Sequence, residues 1–93
     1  METIQNAKIK FSYLGVDEEN TPIFQIGFEC RSGTTLCTEK RELIDVKSLG
    51  EILNTLEVRS WEELPRKFAR IKVNDNKKVV AIGHLIEDRW IRI

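Results

Sequence analysis

Hydrophobic and polar residues alternate with a period of two along the first third of the chain. In the first such stretch the apolar positions are Ala7, Ile9, Phe11 and Tyr13, and in the second they are Phe24, Ile26, Phe28 and Cys30. A period of two places one face of a strand in the core and the other in solvent. The pattern therefore predicts two strands, which a turn at 32–34 and a shorter strand in TLCTEKREL extend into an antiparallel meander.

The apolar spacing becomes helical between residues 45 and 58, where the apolar stripe consists of Val46, Leu49, Ile52, Leu53 and Leu56. Asp45 is the predicted N-cap of this helix. Gly50 lies inside it, at a cost of about 1 kcal/mol relative to alanine, and we expect it to mark close packing against a strand. Ser60 and Glu63 match the S-x-x-E capping box of a second, very short helix, which Pro65 ends.

Alternation returns in the last third of the chain. In RKFARIKV, one face carries Ala69, Ile71 and Val73, and the other carries Phe68, Arg70 and Lys72. NDNKK is the turn of a hairpin, and a final strand is predicted to run through residues 79–93, with a turn or bulge at EDR as the alternative. The element order β-β-β-α-β-β predicts an α+β fold, a small two-layer sandwich in which a five-stranded antiparallel sheet packs on one main helix.

Length and composition limit the classes of protein to which this chain can belong. The 93 residues suffice for a single domain, 1–93, and 41% of them are hydrophobic, which is enough for a folded core. No apolar run approaches the roughly 20 residues that span a bilayer. The N-terminal METIQNAKIKF lacks the apolar segment of a signal peptide. We therefore expect a cytoplasmic protein with no membrane partner.

The charges cancel overall but are unevenly distributed. Residues 1–63 carry seven Lys and Arg against twelve Asp and Glu, whereas residues 64–93 carry eight against three. A neutral total disfavours nucleic acid as the partner, because nonspecific affinity grows with the number of phosphates neutralised. The basic excess of the last third leaves a local anion site open, in the cluster Arg66, Lys67, Arg70, Lys72, Lys77 and Lys78, although solvated lysines on an edge strand explain the same pattern.

The residue types argue against catalysis and metal binding. Cys30 and Cys37 are expected to be free thiols, since no leader directs the chain to an oxidising compartment. Two cysteines and one histidine are too few for the usual four zinc ligands. The sequence contains no Gly-rich phosphate loop, HExxH or paired CxxC motif. We predict that the protein is not an enzyme, has no catalytic residues, and needs no metal or cofactor.

IGHLIEDRW, residues 82–90, concentrates the candidate chemistry. His84 is either a packed strand residue or a ligand-binding group, and the second interpretation needs a carboxylate partner such as Glu87 or Asp88. Gly83 beside it leaves the backbone open to close approach. The two tryptophans either cap the core or offer a stacking surface. The predicted binding surface consists of His84, Asp88, Trp90, Trp61 and Arg70.

The second half of the chain resembles a family of small uncharacterised proteins encoded by phages and prophages. The matching residues are Trp61, Glu62, Leu64 and Lys67, followed by Gly83, His84, Asp88 and Trp90. The chain departs from the family pattern at Arg66, where a glycine is expected, and in the glycine-poor segment IGFECRSGTTLCTEK. The resemblance implies an accessory protein of a mobile element that acts in the host cytoplasm.

These observations lead to one main hypothesis and two alternatives. The main hypothesis is a non-enzymatic binding protein that antagonises host defence, either by binding a host protein or by sequestering a small anionic ligand such as a signalling nucleotide. The first alternative is a structural or assembly module that forms a homodimer or a higher homo-oligomer. The second is a nucleic-acid-binding protein, for which steep salt dependence would be the mark.

Overall fold

The computed structural model describes residues 1–42 and 46–93, which form an α+β fold. Strands β1 (Thr3–Val16), β2 (Pro22–Cys30), β3 (Thr35–Cys37) and β4 (Arg41–Glu42) precede helix α1 (Val46–Thr55). A single 3-10 turn at Trp61–Glu63 and strands β5 (Phe68–Val73), β6 (Val79–Gly83) and β7 (Trp90–Arg92) follow. None of the described helices is long and apolar enough to cross a membrane.

The described strands form one antiparallel sheet with six of them in the order β3-β2-β1-β5-β6-β7, and the two-residue β4 also pairs with β2. The prediction of five strands was wrong because two predicted strands are each divided. TLCTEKREL contains β3 and β4, and the last predicted strand is a hairpin of β6 and β7. Residues 84–89 form its turn, and Ile82 pairs with Ile91 across it. The segment EDR therefore belongs to a turn, which was the alternative to a continuous strand.

A β-bulge in β1 exchanges the two faces of the sheet on which the side chains of its second half lie. The register of β1 against β2 shifts between Ile9 and Phe11, so the extra residue moves each later side chain to the opposite face. Ala7 and Ile9 are buried, as predicted, whereas Phe11 and Tyr13 are 36% and 43% exposed. The prediction that all four share one buried face was therefore wrong, since strict alternation holds only while the register is uninterrupted.

Helix α1 covers one face of the sheet, and we name the opposite side the outer face. Ile52 and Leu56 of the helix stripe are buried in the same cluster as Phe28 and Ile71 of the sheet. Gly50 is exposed, and a Cβ there would meet no atom within 4 Å, so the prediction that it marks close packing was wrong. Asp45, the predicted N-cap, lies outside the described residues.

The helix ends in a Schellman motif, because Val58 N–H donates to Leu53 O at 3.0 Å and Glu57 N–H donates to Asn54 O at 3.2 Å. Glu57 holds the position that glycine usually occupies, with a φ of 59°. A side chain in the left-handed region carries a conformational cost. This backbone conformation places the Glu57 side chain just beyond the end of α1.

The predicted turns are confirmed, with one difference in detail. The side chain of Asn74 accepts hydrogen bonds from Asn76 N–H and Lys78 N–H in the NDNKK hairpin. Ser60 makes no side-chain hydrogen bond to the backbone of the 3-10 turn and donates instead to the Glu63 carboxylate at 3.2 Å. The S-x-x-E motif therefore marks the right position, but its two side chains bond to each other.

Candidate binding surface

Strand register arranges the side chains of the outer face in rows. One row crosses four neighbouring strands and consists of Asn6, Arg70, Gly83 and Trp90. The next row consists of Ile4, Lys72, Ala81 and Arg92. Lys8 pairs with Phe68 at the other side of Arg70. The alternation predicted for RKFARIKV is confirmed, because Ala69, Ile71 and Val73 are buried in the core while Phe68, Arg70 and Lys72 lie on this face.

Trp90 lies over Gly83. A Cβ on Gly83 would come within 2.7 Å of Cδ2 and Cε3 of the indole. Two cations also approach the ring, with the Arg70 guanidinium 4.9 Å and the Lys72 ammonium 4.5 Å from its centroid. Cations over an aromatic face are attracted by its quadrupole. The close approach expected at Gly83 is therefore made by Trp90 of the same chain, whose ring is already engaged.

Phe68, in contrast, has an open ring. Phe68 is 56% exposed, and among the described residues the cation over its ring is the Lys8 ammonium, 6.0 Å from the ring centroid. Phe68 and Lys8 line a cavity of about 440 Å³ together with Asn6, Glu29, Arg31 and Leu85. Ligand cavities in proteins span roughly 300–1,000 Å³. We name this cavity the outer cavity.

The turn at residues 84–89, which we name the His84 turn, is organised by the histidine side chain. His84 Nδ1 accepts hydrogen bonds from Ile86 N–H at 3.2 Å and Glu87 N–H at 3.0 Å. A nitrogen that accepts carries no proton, so from this network we assign the hydrogen of the neutral ring to Nε2. Nε2 then donates to the Glu57 carboxylate at 2.6 Å. Both ring nitrogens are thus engaged within the protein.

The carboxylate partner of His84 is Glu57, 27 residues away in the chain. Glu87 contributes only backbone groups to the histidine's environment. The hydrogen bond from His84 holds the pKa of the Glu57 carboxyl below its usual value. The pair joins the end of α1 to the His84 turn, because Glu57 belongs to the helix cap.

Two arginines complete the attachment of the turn. Arg70 donates from Nε to His84 O at 2.8 Å and from Nη2 to Glu87 O at 2.6 Å. Arg89 donates from Nη2 to Asn54 O at 2.6 Å, near the end of α1. Charge-assisted hydrogen bonds of this length are stronger than neutral ones. The turn is therefore tied to β5 on one side and to the helix on the other.

A second cavity, of about 350 Å³, lies beside the His84 turn, and we name it the turn cavity. The His84–Glu57 pair and Leu56 line it, and Arg66 and Lys67 lie at its border with Ile86. Ile86 is 82% exposed although the turn that carries it is fixed by hydrogen bonds. Leu85 and Phe68, 37% and 56% exposed, line the same cavity. Exposed apolar side chains grouped in this way mark a candidate contact surface, whereas a single one would not.

The structure brings three of the five predicted site residues together. His84, Arg70 and Trp90 are adjacent, linked by the contacts of Arg70. Trp61 lies on the helix side of the sheet and packs edge-to-face on the core residue Phe24, with ring centroids 6.3 Å apart. It therefore caps the core, and its indole N–H is buried without a partner among the described residues. Asp88 is exposed, with no hydrogen bond or ion pair to another described residue.

Of the residues that line the turn cavity, sequence analysis selected His84 as a site residue and placed Arg66 and Lys67 in the basic cluster. It did not select five others that line one or both cavities: Lys8, Arg31, Phe68, Leu85 and Ile86. The available signal was Phe68, an aromatic residue on the polar face of an alternating strand. Leu85 and Ile86 carried no such signal, since inside a predicted strand one of them would be buried. In the structure both belong to the turn.

No protein-family model, curated protein or solved structure matches this chain. Among residues 1–42 and 46–93, no three His, Cys, Asp or Glu side chains are grouped closely enough to hold a metal ion. Cys30 is buried and Cys37 half-buried, and both are free thiols. Burial raises the pKa of the Cys30 thiol.

Proposed function

We propose that this protein is a non-enzymatic binding protein whose ligand is a small anion with an aromatic ring, such as a nucleotide, held in the outer cavity. The resemblance to phage and prophage proteins extends this proposal to a role in the host cytoplasm, where sequestering a signalling nucleotide would antagonise host defence. The observation that carries the proposal is the open ring of Phe68 at the border of a cavity of about 440 Å³.

Phe68 supplies the surface for the ring of the ligand. Stacking of a base on an exposed aromatic side chain contributes about 1–3 kcal/mol. Trp90 offers a poorer surface, because Gly83 lies against its ring and two cations approach it. The proposed stacking residue is thus Phe68, in place of the tryptophans of the predicted site.

The charges of the outer face suit the anionic part of the ligand. Lys8 and Arg31 border the outer cavity, and Arg70 follows in the same row as Asn6. Glu29 opposes them within the cavity. Farther along the face, Arg92 is paired with Glu2, whose pKa this hydrogen bond lowers. Lys8 and Arg31 are therefore the cations we assign to the phosphate groups.

The test is calorimetric titration of the purified chain with a panel of mononucleotides and cyclic dinucleotides, repeated with Phe68→Tyr and Phe68→Leu. Tyrosine keeps the aromatic face, whereas leucine keeps only the apolar volume. We expect one nucleotide to bind, Phe68→Tyr to retain it, and Phe68→Leu to weaken it by about tenfold or more. Each variant must keep the wild-type melting temperature.

Two results would overturn the proposal. The first is the absence of binding across the nucleotide panel. The second is binding of a single-stranded oligonucleotide with no affinity for its component nucleotides and with a steep loss at raised salt, which would identify a nucleic-acid-binding protein.

A further inference from the structure

We propose that two copies of this chain associate head to tail, with the turn cavity of one copy receiving the β1–β2 hairpin tip of the next. The hairpin tip consists of Tyr13, Val16, Asp17, Glu18 and Glu19. The turn cavity adjoins the outer cavity, because Phe68 and Leu85 line both. The association is argued from other residues of the turn cavity, and the variants that test it leave Phe68 and Leu85 unchanged.

The turn cavity presents an apolar side chain next to positive charge. Ile86 is 82% exposed and lies at a cavity that Leu56 also lines. Arg66 and Lys67 border the same cavity and make no ion pair with another described residue. Glu57 also lines the cavity and keeps its negative charge when it accepts from the neutral His84 ring. The two cations of the lining still outnumber this one acid. The cavity therefore favours an occupant that combines apolar and acidic side chains.

The hairpin tip has that composition. Val16 and Tyr13 are 54% and 43% exposed, and they border a concavity of about 670 Å³ with Ile23, the three acids of the tip and a single base, Lys40. The loop is ordered by Asp17, whose carboxylate accepts from Glu19 N–H and Thr21 N–H. Glu18 and Glu19 stay exposed. The tip thus pairs apolar side chains with negative charge on a fixed loop.

The two surfaces cannot meet within one chain. Lys8 of β1 pairs with Phe68 next to the turn cavity, and Val16 lies eight residues farther along the same strand. At about 3.3 Å per residue the separation along β1 is roughly 26 Å. Complementary surfaces at separate places on one molecule give a heterologous contact, which forms rings or open chains of copies. A second copy is therefore the occupant that the charges favour.

The test uses two variants that each disable one surface. Ile86→Asp disables the turn cavity, and Glu18→Lys with Glu19→Lys disables the hairpin tip. We expect the wild type to show a mass that rises with concentration in sedimentation velocity, and each variant alone to be monomeric. A mixture of the two variants in equal amounts should give a dimer, because each retains the surface that the other lacks.

The matched control is Glu51→Lys with Glu62→Lys, which makes the same change of charge at two exposed positions away from the tip. It should associate like the wild type, and raised salt should weaken association of both. A mixture that stays monomeric would overturn the proposal, as would a wild type that is monomeric at every concentration. Wild-type self-association that survives Ile86→Asp would also overturn it, since the contact would then lie elsewhere. Nucleotide titration of the Glu18→Lys, Glu19→Lys variant tests the outer cavity independently, because that variant leaves the lining of both cavities unchanged.

Discussion

Two aromatic rings on the outer face, those of Trp90 and Phe68, differ in what surrounds them. Trp90 has Gly83 against its ring and two cations within 5 Å of the ring centroid. Phe68 has no glycine partner across the sheet, pairs with Lys8, and is 56% exposed. A glycine opposite an aromatic residue lets the ring cover the strand backbone. The comparison separates a ring that stabilises the fold from a ring that is free to bind.

The same arrangement recurs on the β1–β2 side of the sheet. Phe11 pairs with Gly27, and a Cβ on Gly27 would lie 2.1 Å from Cε2 of the phenyl ring. Phe11 is accordingly less exposed than Phe68, at 36% against 56%. The glycine partner, and not the residue type, distinguishes the engaged rings of this face from the open one.

Among the changes that test the comparison of Trp90 with Phe68, we expect Gly83→Ala to have the largest effect on the free energy of unfolding. The added methyl group would displace the Trp90 indole, which we expect to lower the free energy of unfolding by about 2 kcal/mol, as overpacking does. Urea denaturation followed by tryptophan fluorescence measures it. Gly50→Ala is the matched control, because that site is open and exposed; it should raise stability by about 1 kcal/mol. A neutral Gly83→Ala would show that Trp90 is not held against the strand.

A somewhat smaller loss is expected from His84→Ala, which removes the support of the turn between the two rings. The variant loses one hydrogen bond to Glu57 and the acceptor of two backbone N–H groups. Water can replace part of these bonds, so we expect the free energy of unfolding to fall by about 1.5 kcal/mol. Hydrogen exchange of the Ile86 and Glu87 amides should accelerate with it. Unchanged exchange at these two amides would contradict the assigned role of Nδ1.

A pH effect of smaller size follows from Glu57. Its pKa is lower in the folded state than in the unfolded chain, so the unfolded chain binds more protons at mildly acidic pH. The contribution to stability is therefore present above the ordinary glutamate pKa and is lost as pH falls through the lowered value. Glu57→Gln can still accept from His84 but does not titrate, so its unfolding free energy should fall less over this range. Parallel pH profiles of the two proteins would contradict the assignment.

The smallest effect on stability is expected from Phe68→Ala. An exposed ring that packs on no glycine should change the free energy of unfolding by less than about 0.5 kcal/mol. The same urea denaturation measures it, with Gly83→Ala as the contrasting case. A loss comparable to that of Gly83→Ala would mean that Phe68 also serves the fold, and the distinction between the two rings would fail.

Much of the fold could be predicted from period-two patterns in strands that pair without interruption. Phe24, Ile26, Phe28 and Cys30 are all buried, as the alternation in β2 requires. The bulge in β1 could not be predicted, because nothing local to FSY distinguishes a shifted register from a regular one. The hairpin within residues 79–93 was missed because the apolar residues Leu85 and Ile86 continue the strand pattern into a turn.

The candidate site was harder to predict because its contacts join distant segments. His84 and Arg70 were recognised as residues with chemistry to offer, but their hydrogen bonds are directed to Glu57 and to backbone groups of the His84 turn. Whether a polar side chain is free or engaged depends on partners that sequence spacing does not reveal. The sequence shows Phe68 as an aromatic residue among the cations of one strand face, and the register adds that its partner on β1 is Lys8 and not a glycine.

The most direct test of the account is a nucleotide titration followed by NMR of the aromatic side chains. The chain has two indole N–H signals, from Trp61 and Trp90, and the ring protons of Phe68 can be assigned by comparison with Phe68→Leu. The account predicts that the Phe68 ring protons shift upfield with the added nucleotide while the Trp61 indole stays unchanged. A titration that moves Trp61 and leaves Phe68 in place would contradict it.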